Sequence, residues 1–213
     1  MEGVLNWGVE LILLIQQNRT ALLDEFFRTI TTLGGQAHIY IVPFVIWSLS
    51  YRAGSRMLLT LLLSAFVNFA LKDVFAQPRP FDLEPRIGPD REFGFGAPSG
   101  HAQHTLIEWG LIAAWVGRRW FSVLAVLLIV LIGFSRVYLG VHFPTDVLAG
   151  WALGAALLWL HLRHADAARQ AEVDRHPGID MLHRHGGDQR SLAAEGADQQ
   201  NVQESSRENQ VGR

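Results

Sequence analysis

Trp120-Phe-Ser-Val-Leu-Ala-Val-Leu-Leu-Ile-Val-Leu-Ile-Gly-Phe134 runs without a single ionisable side chain. A helix built from this stretch would be apolar all round, whereas every helix of a water-soluble bundle needs a charged or polar face. Arg118 and Arg119 precede it and Arg136 follows it, as expected of a segment that crosses hydrocarbon and emerges at charged ends. Further apolar or mixed runs lie at 37–51, 57–75, 101–116 and 144–162. Each approaches the ~20 residues needed to cross a ~30 Å hydrocarbon core, and tilt or polar flanks complete the shorter ones. Upstream, residues 4–15 are apolar on most sides but short and interrupted by Glu10, and lack the basic start and cleavage site of a signal peptide; they read as an interfacial or partly inserted helix. Leu22, Leu23, Phe26, Phe27, Ile30 and Leu33 recur at helical spacing opposite Asp24, Glu25 and Arg28, up to Gly34-Gly35, which predicts an amphipathic helix. The expected fold is therefore all-α, a multi-pass transmembrane helical bundle of about five to six spans with N-terminal amphipathic helices.

Composition alone is less decisive, since 213 residues with 49% hydrophobic content and a net charge of -2 would also suit a soluble domain. The distribution is what matters. Large aliphatic residues nearly vanish after Ala165, where Gln, Asp, Glu, Arg, Gly and His take over. This divides the chain into N-terminal amphipathic or interfacial helices (1–35), a membrane core (36–164) and a polar, disordered tail (165–213). There is no cysteine, which excludes disulfides, thiolate metal sites and a cysteine nucleophile. His176, His183 and His185 in the tail read as solvated side chains rather than a metal site, because no packed scaffold would hold them. No metal, no cofactor and no obligate protein partner is expected.

Three clusters stand out: Lys72-Asp-Val-Phe-Ala-Gln-Pro-Arg79-Pro80, Pro98-Ser99-Gly100-His101, and Ser135-Arg136-Val-Tyr-Leu-Gly-Val-His142-Phe-Pro-Thr-Asp146. Each sits where an apolar run begins or ends. If five spans alternate, Arg52, Arg56, Arg118, Arg119, Arg163 and Arg169 share one side, which the positive-inside rule makes cytoplasmic together with the tail. The clusters then face the non-cytoplasmic side of the cell (inner) membrane, and that side also holds Arg79, Arg86, Arg91 and Arg136. The bias sharpens if some of these arginines serve chemistry instead of orientation.

A phosphoryl group in transfer spreads charge over three equatorial oxygens and needs positioned cations around them. Lys72, the one lysine among 18 basic residues, joins Arg79 and Arg136 as candidates. Arginine grips two oxygens with its planar fork and lysine offers a point charge. Ser99 adds a hydroxyl donor, and Gly100 lets backbone N–H groups approach an anion at a helix N-terminus. His142 and Asp146 flank Pro144, well placed as the first residue of the last helix. The Asp146 carboxylate can accept from one imidazole nitrogen and aim the other, unprotonated, at phosphorus. Weaker candidates lie within the spans. Glu108 shares a helix face with His101 and could tune it or pack against another polar group; Asn68 lies one turn before Lys72 and could orient it; His104 reads as interfacial. Gly150 and Gly154 form a pair that favours close helix packing. Residues 81–97, with Asp82, Glu84, Arg86, Asp90, Arg91 and Glu92 among Pro and Gly, are long enough for a lid. Their mixed charge argues against an anionic polymer, so no nucleic acid partner is expected.

The three clusters together resemble the signature of the type 2 phosphatidic acid phosphatase superfamily: a lysine, six residues and Arg-Pro; then Pro-Ser-Gly-His; then Ser-Arg, five residues, His, three residues and Asp. All parts match in order, and the resemblance covers about 57–162. Soluble haloperoxidase relatives in that superfamily bind vanadate, but the spans make this chain similar to the lipid phosphatase branch. The resemblance implies hydrolysis of a lipid phosphate through a phosphohistidine without a metal. It makes His142 the nucleophile and His101 the general acid that protonates the leaving alkoxide and then activates water. A site at the membrane interface suits a headgroup whose chain stays in the bilayer, such as polyprenyl diphosphate, phosphatidate or phosphatidylglycerophosphate, with a recycled polyprenyl carrier first. A lipid phosphotransferase with the same cradle, and a non-catalytic transporter using Lys72, His142 and Asp146 as an ion pathway, remain open.

Overall fold

The computed structural model describes residues 2–35, 41, 45, 48–88 and 90–175. Most of the run at 37–51 and the tail histidines lie outside these residues. The described elements are helices: α1 (Glu2–Gln16), α2 (Ala21–Gly35), α3 (Tyr51–Phe75), α4 (Pro80–Leu83), α5 (Gly100–Val116), α6 (Arg119–Tyr138) and α7 (Pro144–Arg175). Their ends follow local chemistry. Thr20 accepts the Leu23 N–H at the start of α2, and Ser50 accepts the Ala53 N–H at the start of α3, each satisfying a donor the helix cannot. α3 stops where Ala76 turns left-handed (φ 43°) just before Pro78. α5 stops at Gly117, which is left-handed as well. Pro144 opens α7, as its fixed φ and missing N–H favour.

The compact unit spanning 1–161 contains the bundle; a second unit, from Leu162 onward, begins within the last turns of α7. Tyr51–Leu83, Arg119–Tyr138 and Pro144–Ala168 are long and apolar enough to cross a membrane, while α5 is shorter at 17 residues. The outward faces of α3 and α6 are apolar: Leu59, Leu62, Phe66 and Phe69 on one, Val123, Val126, Leu127 and Val130 on the other, are all exposed. The interior holds Ser64, Asn68, Gln103, Thr105, Glu108 and Ser135. This inside-out distribution suits lipid, where small and polar residues join helices and large aliphatics face acyl chains. Gln103 donates to the Ser64 carbonyl (3.0 Å) and hydroxyl (2.8 Å), tying α5 to α3.

α5 lies directly on α7 because of two glycines. A Cβ at Gly150 would come 2.5 Å from the Ser99 carbonyl oxygen, and one at Gly154 would come 2.8 Å from that of Gln103. The pair read from sequence as a close-packing device thus brings the start of α5 against the start of α7. α1 and α2 also pack on the bundle. Ile12 is fully buried in a core with Ile87, Ala102, Val137, Phe143 and Val147, and Phe27 stacks on Tyr138 with ring centroids 4.3 Å apart.

Candidate active site

The end of α3, the start of α5, the end of α6 and the start of α7 all lie at one end of the bundle, and the three sequence clusters meet there. Lys72, in the last turn of α3, donates to the carbonyls of Phe95 (2.5 Å) and Gly96 (3.0 Å). Four residues past the helix end, Arg79 is fixed by the turn that starts α4: its N–H donates to the Asp82 carboxylate at 2.9 Å. Arg79 is 3% exposed, and its guanidinium donates to Gly94 O (2.8 Å), Phe93 O (3.0 Å) and Val141 O (2.9 Å). Nη1 also lies 3.0 Å from Glu92 Oε2 and 3.5 Å from His142 Nε2.

Arg136, in the last turn of α6, is 2% exposed. Nη1 donates to the Thr31 hydroxyl at 2.6 Å and Nη2 to Glu92 Oε1. Its backbone carbonyl accepts the N–H groups of Val141 (3.2 Å) and His142 (3.3 Å). That turn needs Gly140 at φ 73°, a conformation L side chains rarely adopt. The same turn therefore fixes Arg136 and His142 relative to each other.

His142 Nδ1 stands 3.4 Å from Asp146 Oδ2. That distance is long for a hydrogen bond but keeps the carboxylate on the Nδ1 side of the ring. Asp146 is itself held, with Oδ2 accepting the Phe143 N–H (2.9 Å) and Oδ1 accepting Gln77 Nε2 (2.6 Å). Nε2 is thereby turned toward Arg79 and Glu92. Burial, with the charges of Arg136, Arg79 and Lys72, pushes the His142 pKa well below the ordinary histidine value, so the ring is neutral near pH 7. A neutral imidazole has a lone pair to offer.

Pro98-Ser99-Gly100-His101 is stapled to α7 by the Ser99 N–H, which donates to Asp146 O at 2.9 Å. Beneath it, Asn68 donates to Pro98 O (3.3 Å) and Gln103 Oε1 (2.8 Å); these bonds support the turn over the cradle and do not run to Lys72. Gly100 lies over Asn68. The Ser99 hydroxyl and Arg136 Nε are buried donors without a protein partner, which is uncommon for buried polar groups. The His101 ring packs against Gly35 at the end of α2 and is near enough to act electrostatically on His142 and Glu92. Glu108, two turns further along α5, is fully buried with neither carboxylate oxygen hydrogen-bonded, so it makes no hydrogen bond to His101. Among the described residues no cluster of His, Cys, Asp or Glu could hold a metal ion.

A family model, the PAP2 superfamily, matches residues 53–169. The chain belongs to the PAP2 superfamily. The match runs from the first turn of α3 into α7, takes in all three sequence clusters and leaves α1 and α2 outside. The chain is 30% identical to an undecaprenyl-diphosphatase of Sulfolobus acidocaldarius over 76% of its own length and 80% of the relative's. It is 32% identical to phosphatidylglycerophosphatase B of Bacillus subtilis over 67% and 75%. The crystal structure of a transmembrane PAP2-type phosphatidylglycerolphosphate phosphatase from Bacillus subtilis superposes with a TM-score of 0.71 at 26% identity, covering 78% of this chain and 88% of that one.

Several residues that hold this candidate site together carry no mark in the sequence. Thr31 reaches Arg136 from a helix 105 positions away in sequence, and no local pattern marks it. Gln77 lies inside the first cluster, where its spacing does not set it apart, yet it fixes Asp146. In sequence Glu92 is one of several loop charges.

Proposed function

We propose that this PAP2 protein is an integral membrane lipid phosphatase that transfers the terminal phosphoryl group of a lipid to His142 and then to water. The observation that carries the reading is convergence: Arg79, Arg136 and His142 Nε2, from two separate clusters, surround the same carboxylate of Glu92, whose paired oxygens resemble one edge of a phosphate. Lys72, Arg79 and Arg136 hold the phosphoryl oxygens, with Ser99 and the backbone at Gly100 completing the cradle. Asp146 accepts from Nδ1–H, and the Nε2 lone pair attacks phosphorus. As the P–O bond to the lipid breaks, His101 gives its proton to the leaving oxygen. His101 then takes a proton from water, whose oxygen attacks phosphorus and breaks the P–N bond, releasing phosphate and restoring His142. Asn68 is a positioning residue for the Pro98-Ser99 turn.

The relatives act, by their names, on undecaprenyl diphosphate and phosphatidylglycerophosphate, which supports a lipid phosphate or diphosphate as substrate. We place the site on the non-cytoplasmic face of the cell membrane and the C-terminal tail in the cytoplasm. Arg79 and Arg136 are buried at the site end, which withdraws them from the orientation count, while Arg52, Arg56, Arg118 and Arg119 are exposed at the other end.

The test is phosphate release by purified protein from a panel of polyprenyl diphosphate, phosphatidate and phosphatidylglycerophosphate. Release should persist in EDTA and be blocked by vanadate, which mimics five-coordinate phosphorus. Loss of activity in EDTA with recovery in Mg2+ would overturn the metal-independent cradle. Transfer of label to a second lipid without free phosphate would make the protein a phosphotransferase.

A further inference from the structure

The loop between α4 and α5 does more than cover the site. All three candidate phosphate-binding cations bind it: Lys72 through the carbonyls of Phe95 and Gly96, Arg79 through those of Phe93 and Gly94, and both arginines through the Glu92 carboxylate. Glu92 Oε2 lies 3.9 Å from His142 Nε2. Two residues earlier, Asp90 anchors the loop to the N-terminal helices, accepting from Arg19 Nη2 at 3.0 Å and Arg28 Nε at 2.9 Å. Glu92 remains 31% exposed along its side chain, so the pair can be reached from outside. Burial opposes its ionisation, but Arg136, together with His101 and Arg79, outweighs burial and holds the carboxyl below its usual range.

The charge and shape of this group set a threshold for any ligand. A carboxylate presents two oxygens and one negative charge. The phosphodiester of an ordinary phospholipid headgroup also presents two free oxygens and one charge, and in a bilayer such lipids vastly outnumber any phosphorylated substrate. A terminal phosphate presents three oxygens and up to two charges, so it gains more from two guanidiniums and an ammonium than the carboxylate does. We propose that Glu92 is a specificity-determining residue, a resident competitor that keeps phosphodiester headgroups out of the cradle and yields to a terminal phosphate. The inference rests on the site assigned under Proposed function. In the free protein the cradle is then mostly closed by its own loop, and apparent affinity for phosphate is lowered by the closed fraction.

The experiment compares purified full-length wild type, Glu92→Gln and Asp90→Asn in detergent micelles. Calorimetry measures vanadate binding, and aryl phosphate hydrolysis is followed with increasing phosphatidylglycerol, a phosphodiester lipid. Glu92→Gln keeps the side chain's size and removes its charge; it should bind vanadate about tenfold more tightly and become inhibited by phosphatidylglycerol at fractions that leave the wild type unaffected. Asp90→Asn, which loosens the anchor but keeps the competitor, should move both readings in the same direction by less. Glu92→Gln that binds vanadate no more tightly and still ignores phosphatidylglycerol would overturn the proposal. If that variant does not fold, unchanged vanadate affinity in Asp90→Asn would overturn it instead. A wild type that neither binds vanadate nor releases phosphate would overturn the site assignment itself, which separates the two failures.

Discussion

The two ends of the bundle use the same residue in opposite ways. Where α3 and α6 finish, Arg79 and Arg136 are buried and their guanidiniums are held by named carbonyls, a hydroxyl and a carboxylate. Where α3 begins and α6 begins, Arg52, Arg56, Arg118 and Arg119 are exposed. An exposed guanidinium at the membrane edge costs little and biases orientation. A buried one loses its hydration and must be surrounded by fixed acceptors, which evolution tolerates where the charge performs a task. Arginines counted per loop are therefore comparable as orientation signals only once the buried ones are set aside.

The sharpest way to break this contrast is to remove the proposed nucleophile at the buried end. His142→Asn should reduce turnover of lipid and aryl phosphates alike to background, measured as phosphate release. Turnover of either substrate near the wild-type rate would remove His142 from the chemistry.

Next in size is His101→Asn, which should lose ~10²–10⁴-fold on lipid phosphates, the usual worth of a general acid. An aryl phosphate leaves as a stable anion and needs little protonation, so the first phosphoryl transfer from p-nitrophenyl phosphate should be much less impaired. Equal losses of the first turnover on both esters would remove His101 from the acid role.

The arginines themselves give a direct comparison of the ends. Arg136→Ala and Arg79→Ala should each lower kcat by about 10²–10³-fold, the cost of losing a preorganised donor to transition-state charge. Arg118→Ala and Arg119→Ala should change kcat by less than about twofold, since exposed surface changes are small. Comparable losses at both ends would erase the distinction.

The smallest expected effect is on pH. Because burial and the surrounding cations depress the His142 pKa, its neutral form persists below the ordinary histidine range. The acid limb of kcat/KM attributable to His142 should therefore lie below pH 6.5. Arg136→Gln removes one of those cations, so it should raise the pKa and move the limb to higher pH. An unmoved limb, or one that moves down, would contradict the electrostatic account.

Much of this candidate site is legible in the sequence because its residues lie in short clusters at helix ends, where Pro78, Pro80 and Pro144 punctuate apolar runs. The start of α7 at Pro144 and the close approach at Gly150 and Gly154 followed from local rules. What was not legible are the contacts that span the chain. The loop carboxylates look alike in sequence, yet Asp82 caps the turn at Arg79, Glu84 pairs with Arg86, Asp90 holds Arg19 and Arg28, and Glu92 alone enters the cradle. Spacing also reveals only neighbours on the same helix: it pairs Asn68 with Lys72, whereas the bonds of Asn68 cross to Pro98 and Gln103. Residues 4–15 read as interfacial from their composition; α1 also contributes Ile12 to the core beneath Phe143, a role no periodicity in that short run could specify.

The central claim is that phosphorus is transferred to His142 with His101 serving the leaving group, and trapping tests it most directly. His101→Asn protein is mixed with an aryl phosphate carrying labelled phosphorus, quenched, digested and sequenced. The account predicts a burst of phenol and an acid-labile, base-stable label on the peptide containing His142, lost when His142 is also replaced. Label on another residue, or a phenol burst with no labelled protein, would contradict it.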